Sequence, residues 1–193
     1  MKKIIAAVIN SIPSIKSINR ELLKYPRRGR VVDIGCGTGA RTAFLLNIAD
    51  EVVGIDIDEK KISVAGERYP QIKFYKKDAA KTGFSDAEFD TGFMIMFLHE
   101  ACTDEVIKEA CRITKELVII DYARILIGWR RKLVGLVEKD KFHRFSGINL
   151  TTKLAGYGFS LSESRRINPS LYIYFFTKGR APRTGGGLQE IKK

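Results

Sequence analysis

From residue 30 onward, short apolar runs alternate with stretches of helical periodicity. Arg30–Ile34, Glu51–Ile57, Ile72–Lys76, Phe89–Leu98 and Glu116–Ile120 read as strands, and Thr38–Ile48, Glu59–Arg68 and Thr103–Ile113 as the helices between them. The Glu59 helix stops before Pro70, because the residue ahead of a proline is pushed out of helical geometry. The run at Phe89–Leu98 is almost continuously apolar, as a strand covered on both faces should be. Arg124–Glu138 reads as a basic amphipathic helix and Leu150–Gly156 as a shorter one. Phe159–Ile167 and Ser170–Lys178 are two final strands separated only by the turn at Asn168-Pro169. So tight a connection allows only a hairpin, so one strand must run against the others. Strand–helix alternation otherwise implies parallel pairing with right-handed crossovers. The expected fold is therefore α/β: a doubly wound, seven-stranded mixed sheet, six strands parallel and one antiparallel, with helices on both faces.

The first 25 residues are of another kind. Ile4, Ile5, Val8 and Ile12, then Ile15, Ile18 and Leu22, fit two short helices broken near Pro13. Tyr25–Gly29 reads as a linker. The expected division is a helical cap over 1–29, a main domain over 30–178, and a flexible basic tail over 179–193 that contains three consecutive glycines. With 45% hydrophobic and 29% charged residues in 193, the chain reads as one globular domain with a substantial core. No apolar run approaches the roughly 20 residues that span a bilayer. The opening MKKIIAAVIN is too short in its apolar part for a signal peptide. Three cysteines without a CxxC pair argue against a disulfide framework or a zinc site, and a cytoplasmic setting follows.

The net charge of +12 is unevenly spread: +7 over residues 1–30, −3 over 31–99, +5 over 100–178 and +3 over 179–193. The excess thus surrounds the central segment, where it either solubilises the surface or attracts RNA, anionic lipid or an acidic small molecule.

The central segment carries the chemistry. Arg30–Ile34 runs directly into Gly35-Cys36-Gly37-Thr38-Gly39, and a helix follows. Glycines between a strand and a helix let a ligand approach the backbone, and the helix start adds unpaired N–H groups. The GxGxG spacing, with Ala40 next, is close to the dinucleotide fingerprint. Asp33, inside the strand, needs a partner if buried; a ligand ammonium or nearby backbone donors would serve. Asp56 ends the second strand, 17 residues after Gly39, where a carboxylate accepts from ribose hydroxyls. That feature points to a nucleoside without choosing between a nicotinamide cofactor and S-adenosylmethionine.

Val31–Gly39 closely resembles motif I of the class I S-adenosylmethionine-dependent methyltransferases, a family with a Rossmann-like sheet. Val53–Asp58 is similar to their acidic second-strand motif, and Lys77-Asp78-Ala79 with Gly83-Phe84 to the stretch after the third strand. Phe89-Asp90, leading to Phe97-Leu98-His99, resembles the fourth-strand motif of the small-molecule, type 11-like branch. The resemblance implies S-adenosylmethionine as cofactor and S-adenosylhomocysteine as product. It implies that Gly35, Cys36, Gly37 and Gly39 wrap the methionine part, with Asp33 orienting its amino group. Asp56 would hold the ribose, Ile57 would pack on the adenine, and Asp78 and Ala79 would meet the adenine edge. Met94 would lie near the methionine moiety. Two positions depart from the family pattern: Gly83 stands where a proline is usual, and His99-Glu100 where His-His is common.

No catalytic constellation stands out. A methyl group on a sulfonium is already activated, so alignment can carry much of the rate. His99, Asp121 and Tyr122 end the fourth and fifth strands beside the crevice and are candidates for a base or a substrate contact. His143 lies in a polar stretch. Asp58 is placed to cap the helix at Glu59, and Asp78 is equally placed to close a turn. Cys36 reads as small-residue packing rather than a nucleophile, and Cys102 and Cys111 read as helical core positions. Ile125, Trp129, Leu133 and Leu136 form the apolar stripe of the basic helix, which either packs on the sheet or lies on a membrane or substrate. A small-molecule acceptor is expected; an RNA acceptor, a non-catalytic cofactor-binding partner subunit and a nicotinamide-dependent oxidoreductase are the alternatives.

Overall fold

The structure, a computed structural model, describes residues 15–122, 150–168 and 171–179. The expectations for Ile4 to Ile12, for the helix over 124–138 with His143, for the Asn168-Pro169 turn and for the tail beyond Gly179 lie outside the described residues.

The elements in chain order are α1 (Ile15–Leu22), β1 (Arg28–Ile34), α2 (Ala40–Leu45), β2 (Ala49–Asp56), α3 (Glu59–Arg68), β3 (Lys73–Lys76), β4 (Phe89–Ile95), α4 (Leu98–Ala101), α5 (Asp104–Ile113), β5 (Thr114–Tyr122), α6 (Leu150–Ala155), β6 (Phe159–Asn168) and β7 (Leu171–Lys178). They form one seven-stranded sheet in the order β3-β2-β1-β4-β5-β7-β6. β1 pairs in parallel with β2 and β4, β2 with β3, and β4 with β5. β7 runs antiparallel to both β5 and β6, so the last two strands form the expected hairpin. The chain reverses direction across the sheet between β1 and β4, and an open α/β sheet has its ligand crevice at the carboxyl ends there.

Strand residues alternate between two apolar clusters. Val31, Val52, Phe93, Ile95, Val118 and Ile120 join Ile18, Leu22 and Leu45 in one. Val32, Ile34, Val53, Ile55, Met94, Leu117 and Ile119 join Val106, Ile107 and Ala110 of α5 and Leu150 and Leu154 of α6 in the other. Period-2 alternation places neighbours on opposite faces, which explains why the runs are apolar throughout.

Local signals set the helix ends. Asp58 caps α3, its carboxylate accepting from Lys60 N–H and Lys61 N–H. Thr103 caps α5 by accepting from Val106 N–H, and Asp104 and Glu105 complement the first turn.

Two expectations are corrected. The strand expected over Phe89–Leu98 ends at Ile95, and the chain turns at Met96 with φ 57° into the helical turn of α4. Met96, Phe97 and Leu98 are apolar because they pack, and hydropathy alone does not distinguish that from strand continuation. Cys102 follows α4 outside any helix, whereas Cys111 is buried within α5.

Candidate active site

Each of the three glycines after β1 has positive φ, 78° at Gly35, 56° at Gly37 and 82° at Gly39, so side chains would be strained at all three. Their surroundings differ. A Cβ at Gly39 would strike Phe74, Ala65 and Tyr69, so this glycine lets α2 approach β3 and α3. A Cβ at Gly35 would fall 2.2 Å from the Phe97 ring. Among the described residues, a Cβ at Gly37 would meet nothing within 4 Å, so the loop opens onto free space there.

Asp56 ties this loop to the next. Its Oδ2 accepts from Gly37 N–H at 2.9 Å and its Oδ1 from Asp58 N–H at 2.9 Å. Gly35 N–H and Cys36 N–H both donate to Ile55 O at 2.9 Å. Beside them Ile57 is 67% exposed, an apolar side chain facing solvent where the loops meet. Cys36 is buried, its Sγ 3.1 Å from where a Gly54 Cβ would be. Burial pushes its thiol well above the ordinary range, so it packs and is no nucleophile at neutral pH.

Asp33 is 2% exposed and accepts from Thr42 Oγ1 at 2.6 Å. Desolvation pushes its carboxyl up to about 6, against the opposing pull of Thr42 and Arg41. Nothing in the spacing singled out Thr42, which reaches back from the second position after the α2 start. Arg41 next to it donates from Nη1 to Ile95 O at 3.1 Å, tying α2 to the end of β4.

Asp78 is exposed and closes a turn, its Oδ1 accepting from Ala80 N–H at 2.8 Å, and Lys77 N–H reaches Asp56 O at 3.0 Å. Ala79 packs at the margin of the second apolar cluster. The turn is anchored from behind by Glu109 of α5, which no local motif marks out. Its Oε1 accepts from Thr82 N–H at 2.8 Å and from Thr82 Oγ1 at 2.6 Å. Arg112 donates to the same carboxylate at 2.8 Å and holds its pKa down at about 2. Met94 is only 1% exposed, enclosed in the second cluster, while Met96 and Phe97 are the partly exposed residues at the β4 tip.

The candidates at the ends of β4 and β5 come together. His99 is 4% exposed and Asp121 fully buried, with His99 Nδ1 2.9 Å from Asp121 Oδ1. Asp121 also accepts from His99 N–H at 3.3 Å and from Tyr122 N–H at 2.8 Å. The Tyr122 ring stands edge-on to the imidazole, 5.0 Å between centroids. A cavity of about 250 Å³ lined by Tyr25, Arg28, Glu116, Val118 and Phe175 lies at the amino ends of β1 and β5, remote from this chemistry.

A family model described as a methyltransferase domain matches residues 31–117. The chain is 38% identical over 78 residues to an O-methyltransferase of Penicillium expansum, covering 36% of this chain and 28% of that protein. It is 29% identical over 122 residues to a demethylmenaquinone methyltransferase of Bacillus licheniformis, covering 55% and 52%. The chain thus spans between about a quarter and a half of the curated relatives it matches. Its fold is similar to that of magnesium protoporphyrin IX methyltransferase from Synechocystis, solved with S-adenosylhomocysteine bound: TM-score 0.66 at 19% identity, covering 84% of this chain and 81% of that one. The glycine loop with its acidic partner and the 3-2-1-4-5-7-6 sheet agree with these relatives, and over residues 31–117 the chain is similar to a methyltransferase domain.

Proposed function

We propose that the chain binds S-adenosylmethionine across the carboxyl ends of β1, β2 and β4 and transfers its methyl group to a small-molecule acceptor, leaving S-adenosylhomocysteine. The observation that carries this reading is the pairing of open space over Gly37 with Asp56 and the exposed Ile57. These residues fit the cofactor. The positive-φ glycine leaves room that a Cβ would fill, the Asp56 carboxylate suits ribose hydroxyls, and Ile57 offers an apolar surface to the adenine. Asp78 and Ala79 would meet the adenine edge. Asp33, through its buried carboxylate, would face the cofactor's ammonium. When bound, the cofactor supplies a methyl group on a sulfonium, which needs little further activation.

The chain's own task is then alignment. Phe97, pressed against Gly35, walls the methionine end, and Arg41 fixes that wall by holding Ile95 O. Fixing donor and acceptor in line removes the entropy of encounter from the barrier. The two apolar clusters support a doubly wound arrangement with helices on both faces. Ile18 and Leu22 of α1 lie in the first cluster, so α1, the described helix of the proposed cap, packs on the domain. All three cysteines are free, as suits a reducing cytoplasm, and no helix among the described residues is long and apolar enough to cross a membrane.

The relatives' printed names, one an O-methyltransferase and one acting on demethylmenaquinone, support a small acceptor. The +12 charge favours RNA as the second reading. Incubation with methyl-tritiated S-adenosylmethionine, a panel of small acceptors and bulk RNA separates the two. Label should enter small acceptors, while RNA retention falls away between 50 and 200 mM salt without methylation. Label entering RNA alone, at both salt concentrations, would overturn the small-molecule reading.

A further inference from the structure

The cavity at the amino ends of the parallel strands lies at the opposite end of the sheet from the glycine loop. Tyr25 of the α1–β1 link, Glu116 and Val118 of β5, Glu163 of β6 and Phe175 of β7 line its space of about 250 Å³. Tyr25 stacks on Phe175 with ring centroids 4.1 Å apart, so the inner wall is aromatic. An apolar cavity of roughly 150 Å³ already accepts benzene, and small-molecule sites begin at about 300 Å³. The space therefore suits a ligand of one ring and a few further atoms.

The polar groups around this wall specify what such a ligand must carry. Arg28 is paired with Glu116 and Arg165 with Glu163, so an anion would find both guanidiniums engaged. Ser162 Oγ donates to Phe175 O at 3.0 Å. The Tyr25 hydroxyl is different: it is buried and has no hydrogen-bond partner among the described residues. Burial first, then the charge of Glu163, push this phenol above its ordinary value, so it stays a neutral hydroxyl. Glu21, one helical turn earlier, repeats the pattern. Its Oε1 accepts from Lys24 Nζ, while Oε2 is buried without a hydrogen bond, with Arg165 Nη1 3.8 Å away. The Arg165 guanidinium also lies 5.3 Å from the Tyr25 ring centroid, so the two oxygens share one neighbourhood. Buried oxygens left unpaired are costly, and both of these accept. The missing partner is a donor.

We propose that this cavity is a binding site, separate from the cofactor crevice, for a compact aromatic ring carrying an amine or amidine cation. The ring packs against Tyr25, Val118 and Phe175, and the N–H donors serve the Tyr25 hydroxyl and the Glu21 carboxylate. That hydroxyl is sealed from bulk water, so a donor reaches it through the space that its own ring lines. A cation gains from Glu21 and Glu163 what a neutral ring of the same shape does not. The inference is independent of the cofactor reading, because no residue of the glycine loop, the Asp56 loop or the Asp78 turn lines the cavity.

The test titrates the full chain with benzamidine, and with benzonitrile and benzoate as neutral and anionic rings of similar shape, followed by amide proton–nitrogen NMR spectra. Benzamidine should bind at about 1 mM or tighter. Its shifts should fall on Tyr25, Arg28, Glu116, Glu163 and Thr177 and leave Gly35, Gly37, Gly39 and Asp56 unmoved. Benzonitrile and benzoate should bind at least roughly tenfold more weakly. Tyr25→Phe removes only the unpartnered hydroxyl, so the ligand-free protein should melt at the same temperature or higher while benzamidine affinity falls roughly tenfold. Glu21→Gln should weaken benzamidine by a similar factor and leave benzonitrile unchanged. Saturating S-adenosylhomocysteine should leave benzamidine affinity as it was. Shifts confined to the glycine loop, no shifts at the cavity, equal binding of benzonitrile, or unaltered benzamidine affinity in both variants would each overturn the proposal. Failure of S-adenosylhomocysteine to bind would instead remove the cofactor reading and leave this site standing.

Discussion

Asp33 illustrates how burial moves the titration of a carboxyl group. Its carboxyl is pushed up from 3.8 to about 6, because desolvation outweighs the Thr42 hydrogen bond. The folded, ligand-free protein therefore binds this proton more tightly than the unfolded chain does. The stabilisation from that proton is fully present below the ordinary carboxyl pKa and is lost as pH rises through about 6. A cationic ligand group beside Asp33 favours the ionised form instead. Affinity for S-adenosylhomocysteine should accordingly be about tenfold lower at pH 5 than at pH 7, and flat over that range in Asp33→Asn, as calorimetric titration at the two pH values would show. At this scale the sequence was informative wherever a residue's type was at odds with its place: an acid inside an apolar strand, glycines at a strand end, an acid closing the second strand. It was silent on partners. Thr42 and Glu109 are ordinary in type, and only the folding of α2 and α5 onto the loops brings them to Asp33 and Thr82.

At the scale of elements, α5 is more than a cover for the sheet. Glu109 holds the turn bearing Asp78 and Ala79 through Thr82, and Arg112 ties the same carboxylate to Asp86 and to Phe84 O. Replacing Glu109 by Ala removes an acceptor from two Thr82 donors and leaves Arg112 without its inner partner. Chemical denaturation should show a loss of about 2 kcal/mol, and S-adenosylhomocysteine binding should weaken with it as the turn loosens. Elements themselves were legible where periodicity and local chemistry agreed, as in α3, bounded by the Asp58 cap and Pro70. Boundaries were not legible where tertiary pairing decides them. β1 begins at Arg28 because Arg28 N–H donates to Ile48 O and the residue pairs with Ala49, although neither arginine nor glycine at its start favours a strand. β4 stops early because Met96 turns, which no apolar pattern announces.

For the whole molecule, the sheet order places the glycine loop, the Asp56 loop, the Asp78 turn and the His99–Asp121 pair along the carboxyl ends of adjacent strands, with the basic excess outside this central segment. The hairpin that makes β7 antiparallel was legible from a two-residue connection, and the parallel remainder from strand–helix alternation. The acceptor was not legible, because its specificity resides in surfaces assembled from distant segments rather than in a local motif. The cofactor site is the claim on which the rest depends. It is tested most directly by calorimetric titration of wild type and Ile57→Ala with S-adenosylhomocysteine and with NAD. Ile57 is 67% exposed, so its truncation should leave stability within about 0.5 kcal/mol of wild type and any change in binding can be read as lost contact. The account predicts micromolar binding of S-adenosylhomocysteine, about tenfold weaker in Ile57→Ala, and no heat with NAD. Binding of NAD, or of neither ligand, would contradict it.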